Sequence, residues 1–320
     1  MMNKILIIAG DPNSINSEII FKSWKKLTPA VRKKIVLVGN YKLIFDQFRR
    51  LQIKINLKKL TNIDEKNYFN SLNIIDIPLT YKNCFNVSVK ASSMYVIKCL
   101  NLAHQLSYKK KFIGFINCPI NKNLIKKKGI HGVTEYIAKK SKIYNSSEVM
   151  MLYNKVLSVV PITTHIKIKD VSRKITKELI IKKANTLNNS YKKIFNKQPN
   201  IAVLGLNPHN CELAKDSEEV KEIIPAIKFL KKNINIKGPM VADSFFNDTY
   251  KKYNVIMGMY HDQVLIPFKN LFKYDAINIT LGLKYLRVSP DHGTAKDIIG
   301  KKMANPKSLL ACINFFNSLR

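Results

Sequence analysis

Three features of this sequence predict an α/β fold. Short apolar runs rich in Ile and Val alternate with longer lysine-bearing segments of helical spacing, the runs are nearly continuous in apolar residues, and most of them end in a polar tail. Continuous apolar runs suit strands covered on both faces, and strands alternating with helices are the rhythm of layered α/β domains. With 320 residues, 46% of them hydrophobic, the chain can bury the core of one large domain or two medium ones. We find no internal repeat and no long linker.

The first strand is expected at "KILIIAG" (4–10) and the second at "KKIVLVG" (33–39). Apolar residues three and four apart in "SSMYVIKCLNLAHQL" (92–106) predict a helix, and "FIGFINC" (112–118) the strand after it. "VLSVVPITT" (156–164) reads as a strand, and "VSRKITKELIIKKANTLNNSYKKIF" (171–195) as one long helix. "IAVLGLN" (201–207), "NVIMGMY" (254–260) and "AINITLG" (276–282) complete the buried strands, and Arg287 sits in a further apolar stretch. The tails are "PINK" after 118, "TTH" after 162, "PH" after 207, "HDQ" after 260 and "SPDHGT" after 288. Ligands of open α/β sheets bind outside the carboxyl ends of the strands, so these tails are expected to share one site.

Composition excludes several classes. The formal charge of +34 invites a nucleic-acid reading, but the lysines are scattered. Runs such as "YKKKF" and "IKKKGI" have no aromatic-rich or Arg-rich recognition segment beside them, and abundant Lys, Asn and Ile also follow from AT-rich codons. Cys84, Cys99, Cys118, Cys211 and Cys312 make an odd total without a C-x-x-C pair, which argues against a disulfide framework or zinc ribbon. "MMNKILIIAGD" is too short in apolar residues for a signal peptide or a membrane span, and no long apolar run follows. A soluble protein of the reducing cytoplasm, with no nucleic-acid or membrane partner, is expected.

His165, His209 and His261 occupy equivalent places in "ITTH", "LNPH" and "MYH". Any one alone reads as an imidazole satisfied by the backbone. Three of six histidines at strand ends form a candidate site for a divalent metal with positions open for substrate. Such a set accepts zinc, cobalt, manganese and other ions. His104 lies on the amphipathic helix and reads as structural. Lys269, Asn278 and Arg287 follow on the same strands, and two cations with an amide suit a substrate carrying phosphate and carboxylate. "AGDPNSINSEI" (9–19) holds only Gly10, so both glycine-rich nucleotide fingerprints are absent there. A nucleotide is better sought at "SPDHGTAKDIIGKKMANP" (289–306).

"GDP", "PINK", "TTHIKIKDV", "VLGLNPH", "GPMVADSFF", "MYHDQVLIPFK", "INITLGLKYLRVSPDHGTA" and "DIIGK" together carry a family pattern. In their order and spacing the chain resembles the 4-hydroxythreonine-4-phosphate dehydrogenase family of pyridoxal phosphate synthesis, along nearly its whole length. The resemblance implies two α/β/α domains with a central cleft, like isocitrate and isopropylmalate dehydrogenases. It places an NAD-binding domain at 1–130 plus 270–320, and a metal, substrate and dimerisation domain at 131–269. It implies a homodimer with the metal site shared between subunits and His165, His209 and His261 as ligands to zinc, magnesium, cobalt or manganese. Asp262 or Gln263 would orient His261. Thr134, Lys269, Asn278 and Arg287 become substrate contacts, and His292, Gly293, Thr294 and Ala295 hold the adenosine half of NAD or NADP.

The implied reaction is NAD-dependent oxidation and decarboxylation of 4-phosphooxy-L-threonine to 3-amino-2-oxopropyl phosphate, with the metal as Lewis acid. Asp243 is a candidate proton relay; its alternative role is a helix N-cap. Two competing readings are a sister enzyme acting on threonate or erythronate 4-phosphate, and a non-catalytic basic protein that binds polyanions. The retained histidines with Lys269 and Arg287 count against the second. The chain departs from the family at "GIHGVTEY" (129–136), where Val133 stands in place of a histidine, and at "NCELAKDSEE", which is poor in glycine. His131 is expected to supply the missing imidazole, the rival account being a real loss at Val133.

Overall fold

A computed structural model describes residues 4–65, 68–126, 132–143 and 147–319. The chain divides into two compact units, Met1–Ser141 with Lys284–Arg320, and Lys142–Leu283. The first holds β1 (Ile5–Ile8), β2 (Ile35–Gly39), β3 (Asn56–Lys59), β4 (Ser71–Asp76), β5 (Gly114–Asn117) and, from late in the chain, β12 (Leu286–Pro290). The second holds β6 (Val149–Tyr153), β7 (Ser158–Pro161), β8 (Ile201–Leu204), β9 (Ile236–Met240), β10 (Val255–Gly258) and β11 (Ile277–Leu281).

Strand order in the first unit is β3-β4-β2-β1-β5-β12, with every pairing parallel. In the second it is β11-β6-β7-β10-β8-β9. There β6 runs antiparallel to β11 and β7, whereas β7, β10, β8 and β9 are parallel neighbours. All residues of β1, β2, β5, β8 and β10 are buried, as continuous apolar runs require.

All seven expected strands form, each shorter than its expected segment; β7, β8 and β10 stop before their polar tails, whereas β2 starts only after Lys33 and Lys34. Four strands are additional. β3 is the edge strand "NLKK", whose lysines blunt an exposed edge. β4 is "SLNIID", and β6, "VMMLY", has methionines where β-branched residues would mark a strand. β9 contains Gly238 and Pro239 and is tolerated as the opposite edge.

The expected helix at 92–106 extends over Val89–Tyr108, started by Ser88, whose hydroxyl accepts from the Ala91 amide. The segment 171–195 is two helices, Val171–Lys174 and Lys177–Phe195, and not one. The break lies at Thr176, which is extended and caps the second helix by accepting from the Leu179 amide at 3.2 Å. A further correction concerns His261: β10 ends at Gly258, and His261 is the first residue of the helix His261–Phe272. Val264, Leu265 and Phe268 anchor that helix in a core with Leu152, Val159 and Ile256. Among the described residues no helix is long and apolar enough to cross a membrane.

The pairing of β5 with β12 allows no side chain at one point. A Cβ on Gly114 would lie 1.8 Å from the Leu286 carbonyl oxygen, which is backbone and cannot swing aside. Gly114→Ala is therefore expected to cost about 3 kcal/mol, the upper part of the range for overpacking. An unchanged denaturant midpoint for this variant would show that the two strands can part without loss.

Candidate functional site

In the second unit β7, β10 and β8 are adjacent and parallel, so the tails "TTH", "HDQ" and "PH" leave one edge of the sheet. His165 lies exposed four residues past the end of β7, and its ring centre is 5.7 Å from that of His261. A metal–nitrogen distance of about 2.1 Å, plus about 1.1 Å to each ring centre, puts two imidazoles about 5.2 Å apart at a tetrahedral angle. The observed pair is about 0.5 Å wider than that, with the two rings tilted by 41°. Nδ1 of His261 is 2.6 Å from Asp262 Oδ1, which selects the tautomer that leaves Nε2 for a metal. Gln263 does not share this task. Its side-chain amide donates to the Gly205 carbonyl and its oxygen accepts from the Met259 amide, both at 2.7 Å, tying the end of β8 to the end of β10.

His209 opens a run of positive φ that continues through Asn210, Cys211, Glu212 and Leu213. Its Nε2 is 3.5 Å from Asp243 Oδ2 and its Nδ1 3.7 Å from Glu212 Oε1, all three side chains being exposed. Asp243 is not an N-cap: Val241 occupies the N-cap position of the helix Ala242–Phe245 without a side-chain capping bond, and Asp243 Oδ1 accepts from the Ser244 amide at 2.7 Å. Within the single chain His165 and His261 come together and His209 stands with Asp243. Among the described residues no group of three or more His, Cys, Asp and Glu is spaced to hold a metal. Lys269 is exposed, eight residues after His261 on the same helix. Asn278 is half-buried on β11 opposite Leu152, and its Oδ1 is buried without a hydrogen-bond partner.

In the first unit Arg287 and Thr134 meet. Arg287, on β12 and 4% exposed, donates from Nε to Asn117 Oδ1 at 2.7 Å and from Nη1 to Thr134 Oγ1 at 3.3 Å. Burial pushes the guanidinium down to about 10, with the neighbouring Glu135 carboxylate opposing that shift. Asn117 closes β5, and its role was hidden because an amide ending an apolar run reads as an ordinary strand terminus. Val133 opens the helix Val133–Lys140, placing Thr134 in its first turn. His131 lies outside the described residues.

His292 Nδ1 contacts the Gly293 carbonyl at 3.0 Å, while its Nε2 is buried without a partner. A Cβ on Gly293 would meet nothing within 4 Å, and Ala295 adopts the left-handed conformation. The Thr294 carbonyl accepts from the Ile15 amide at 3.2 Å, so this segment packs on the loop containing "GDP". An open backbone loop with an orphaned imidazole nitrogen fits a polar ligand such as the adenosine part of a dinucleotide. His104, by contrast, bonds the Tyr285 hydroxyl at 2.7 Å and is structural.

Residues 31–316 match the family model described as pyridoxal phosphate biosynthetic protein PdxA. The chain belongs to this family. It is 38% identical over 319 residues to the 4-hydroxythreonine-4-phosphate dehydrogenase of Sulfurihydrogenibium sp. (strain YO3AOP1), covering 98% of this chain and 97% of the relative. Identity to the protein of the same name from Aquifex aeolicus is 37% over 327 residues, covering 100% and 99%. The crystal structure of the Klebsiella pneumoniae 4-hydroxythreonine-4-phosphate dehydrogenase superposes with a TM-score of 0.86 at 27% identity, covering 98% of each chain. A β-decarboxylating dehydrogenase from Thermococcus kodakarensis shares the fold, with a TM-score of 0.51 at 10% identity over 98% of this chain and 81% of that one. The chain thus has the α/β fold expected here, shared with these dehydrogenases.

Asp11, in the "GDP" block, is 3% exposed. Burial raises its carboxyl above the usual value, although the amides of Asn13 and Asn121 and the charge of Lys296 act the other way. A carboxyl raised on folding contributes stability below its unfolded pKa and loses it as pH rises through the folded one. The parent should therefore lose stability relative to Asp11→Asn as pH rises from below about 3.9 to above the raised value. Urea midpoints of both proteins across that window test this, and a pH-independent difference would contradict it.

Proposed function

We propose that this protein carries out NAD-dependent oxidation and decarboxylation of 4-phosphooxy-L-threonine to 3-amino-2-oxopropyl phosphate, in pyridoxine and pyridoxal phosphate biosynthesis. The observation that carries this reading is the match to relatives of that name over 98% and 100% of the chain. Lys269 and Arg287 bind the anionic groups of the substrate, and Asn278, with an unpartnered oxygen, and Thr134 orient its hydroxyl and amine. His165, His261 and His209 hold the divalent ion, with the ligand set completed across the two subunits of a homodimer. Asp262 keeps His261 in the ligating tautomer. His292, Gly293, Thr294 and Ala295 hold the adenosine half of NAD. Bound there, NAD would supply the hydride acceptor and the divalent ion a Lewis acid for the reacting oxygen. Asp243, exposed beside His209, takes the alcohol proton.

Val133, in place of the family's histidine, favours as a second reading the oxidation of a related phosphorylated hydroxy acid such as threonate or erythronate 4-phosphate. A panel of these substrates with phosphothreonine, NAD and added divalent ions separates the two. NADH formation on phosphothreonine, abolished by a strong chelator and restored by metal, is the expected result. No NADH from any substrate with any ion overturns the proposal, and full activity after thorough demetallation overturns its metal.

Arg287→Lys should lower kcat/KM roughly tenfold to a hundredfold, because an ammonium cannot reproduce a guanidinium's geometry and about 1.5–3 kcal/mol of charged hydrogen bonding is at risk. Unchanged kinetics would remove Arg287 from the substrate contacts and leave it a structural cation.

A further inference from the structure

The turn that carries His209 is held in a conformation that its own residues disfavour. His209, Asn210, Cys211, Glu212 and Leu213 have φ of 50°, 57°, 51°, 45° and 57°, and none is glycine. Each left-handed residue other than Gly costs roughly 1–2 kcal/mol, somewhat less for Asn, so an external restraint is required. The turn also presses on β8's exit, where a Cβ at Gly205 would lie 1.9 Å from Asn210 Oδ1.

Glu219 supplies such a restraint. It is fully buried at 0% exposure, ten residues beyond His209 in sequence. Its Oε1 accepts from the Leu206 amide at 2.7 Å and the Asn207 amide at 2.8 Å, and its Oε2 from the Asn207 side-chain amide at 2.9 Å. All three are donors, which suits a carboxylate, an acceptor on both oxygens. The two backbone amides immediately precede Pro208 and His209, so the carboxylate fixes the direction in which the chain enters the turn. Gln263 meets the same strand end at the Gly205 carbonyl and leads directly from His261, so the carriers of two imidazoles share one anchor.

We infer that Glu219 is a positioning residue, a buried carboxylate that holds the left-handed turn and with it the His209 imidazole for metal binding. The inference rests on the metal reading proposed above. It also accounts for the survival of a glycine-poor turn in this chain, since hydrogen bonds to a charged acceptor offset the backbone cost.

The test is isothermal titration of metal-depleted protein with Co²⁺, alongside unfolding curves. Glu219→Gln replaces one accepting oxygen by an amide NH2 that faces a donor, and should weaken Co²⁺ binding about tenfold, as loss of an outer support typically does. Adding Cys211→Gly to that variant should recover affinity at least in part, because glycine occupies the left-handed region without the penalty. Asn207→Ala leaves the buried carboxylate in place and should weaken binding in the same direction by a smaller factor. Parent affinity in both Glu219→Gln and Asn207→Ala overturns the inference, as does a loss that Cys211→Gly leaves untouched, which would mark general damage. If Glu219→Gln does not fold, parent affinity in Asn207→Ala alone overturns it. A parent that binds no divalent ion overturns the metal reading itself.

Discussion

Parallel strands that are apolar on both faces can expose polar groups only where they end, and neighbouring parallel strands end at the same edge. In the second unit this brings the chain segments after β7, β10 and β8 together, each with a histidine. The backbone there has left the ladder and needs other partners for its amides and carbonyls. Gln263 and Glu219 provide them, so the same side chains that satisfy the sheet's edge also set where the imidazoles stand.

The first unit solves a different problem. A guanidinium taken out of water must be surrounded by acceptors, or its charge is costly. Arg287 has Asn117 and Thr134 within hydrogen-bond distance and the Glu135 charge nearby, contributed by β5 and the helix Val133–Lys140. The close approach of β5 to β12 at Gly114 keeps those acceptors in reach. Burial and pairing together hold the guanidinium in one place.

The departures from the family pattern have structural counterparts. The block after "LNPH" lacks the family's glycines, yet the backbone still follows the left-handed path that glycine would take most easily. The conformation is set by what surrounds the turn, and the local residues adopt it against their preference. Tertiary contacts override propensity here, as they do at the break in 171–195, where the cap formed by Thr176 outweighs an unbroken helical pattern.

The α/β class, seven of the strands and the family were legible in the sequence, because continuous apolar runs and long motif blocks are local signals. So was the pairing of Thr134 with Arg287 in one group of candidate contacts, although only through the resemblance. Short or polar strands such as β3 and β9 were not, since an edge strand needs a neighbour to define it. Sequence spacing could mark His165 and His261 as equivalent, but their 5.7 Å approach depends on which strands lie side by side. Asn117 and Glu219 were invisible for the same reason: an amide and a carboxylate acquire their roles from groups 170 and 12–13 residues away in the chain. The sequence by itself determined which segments are buried and which end in polar side chains, because hydrophobicity is a property of each residue. Only the tertiary structure decided which acceptor meets which donor, because hydrogen bonds and charges act over a few ångströms of space and not along the chain.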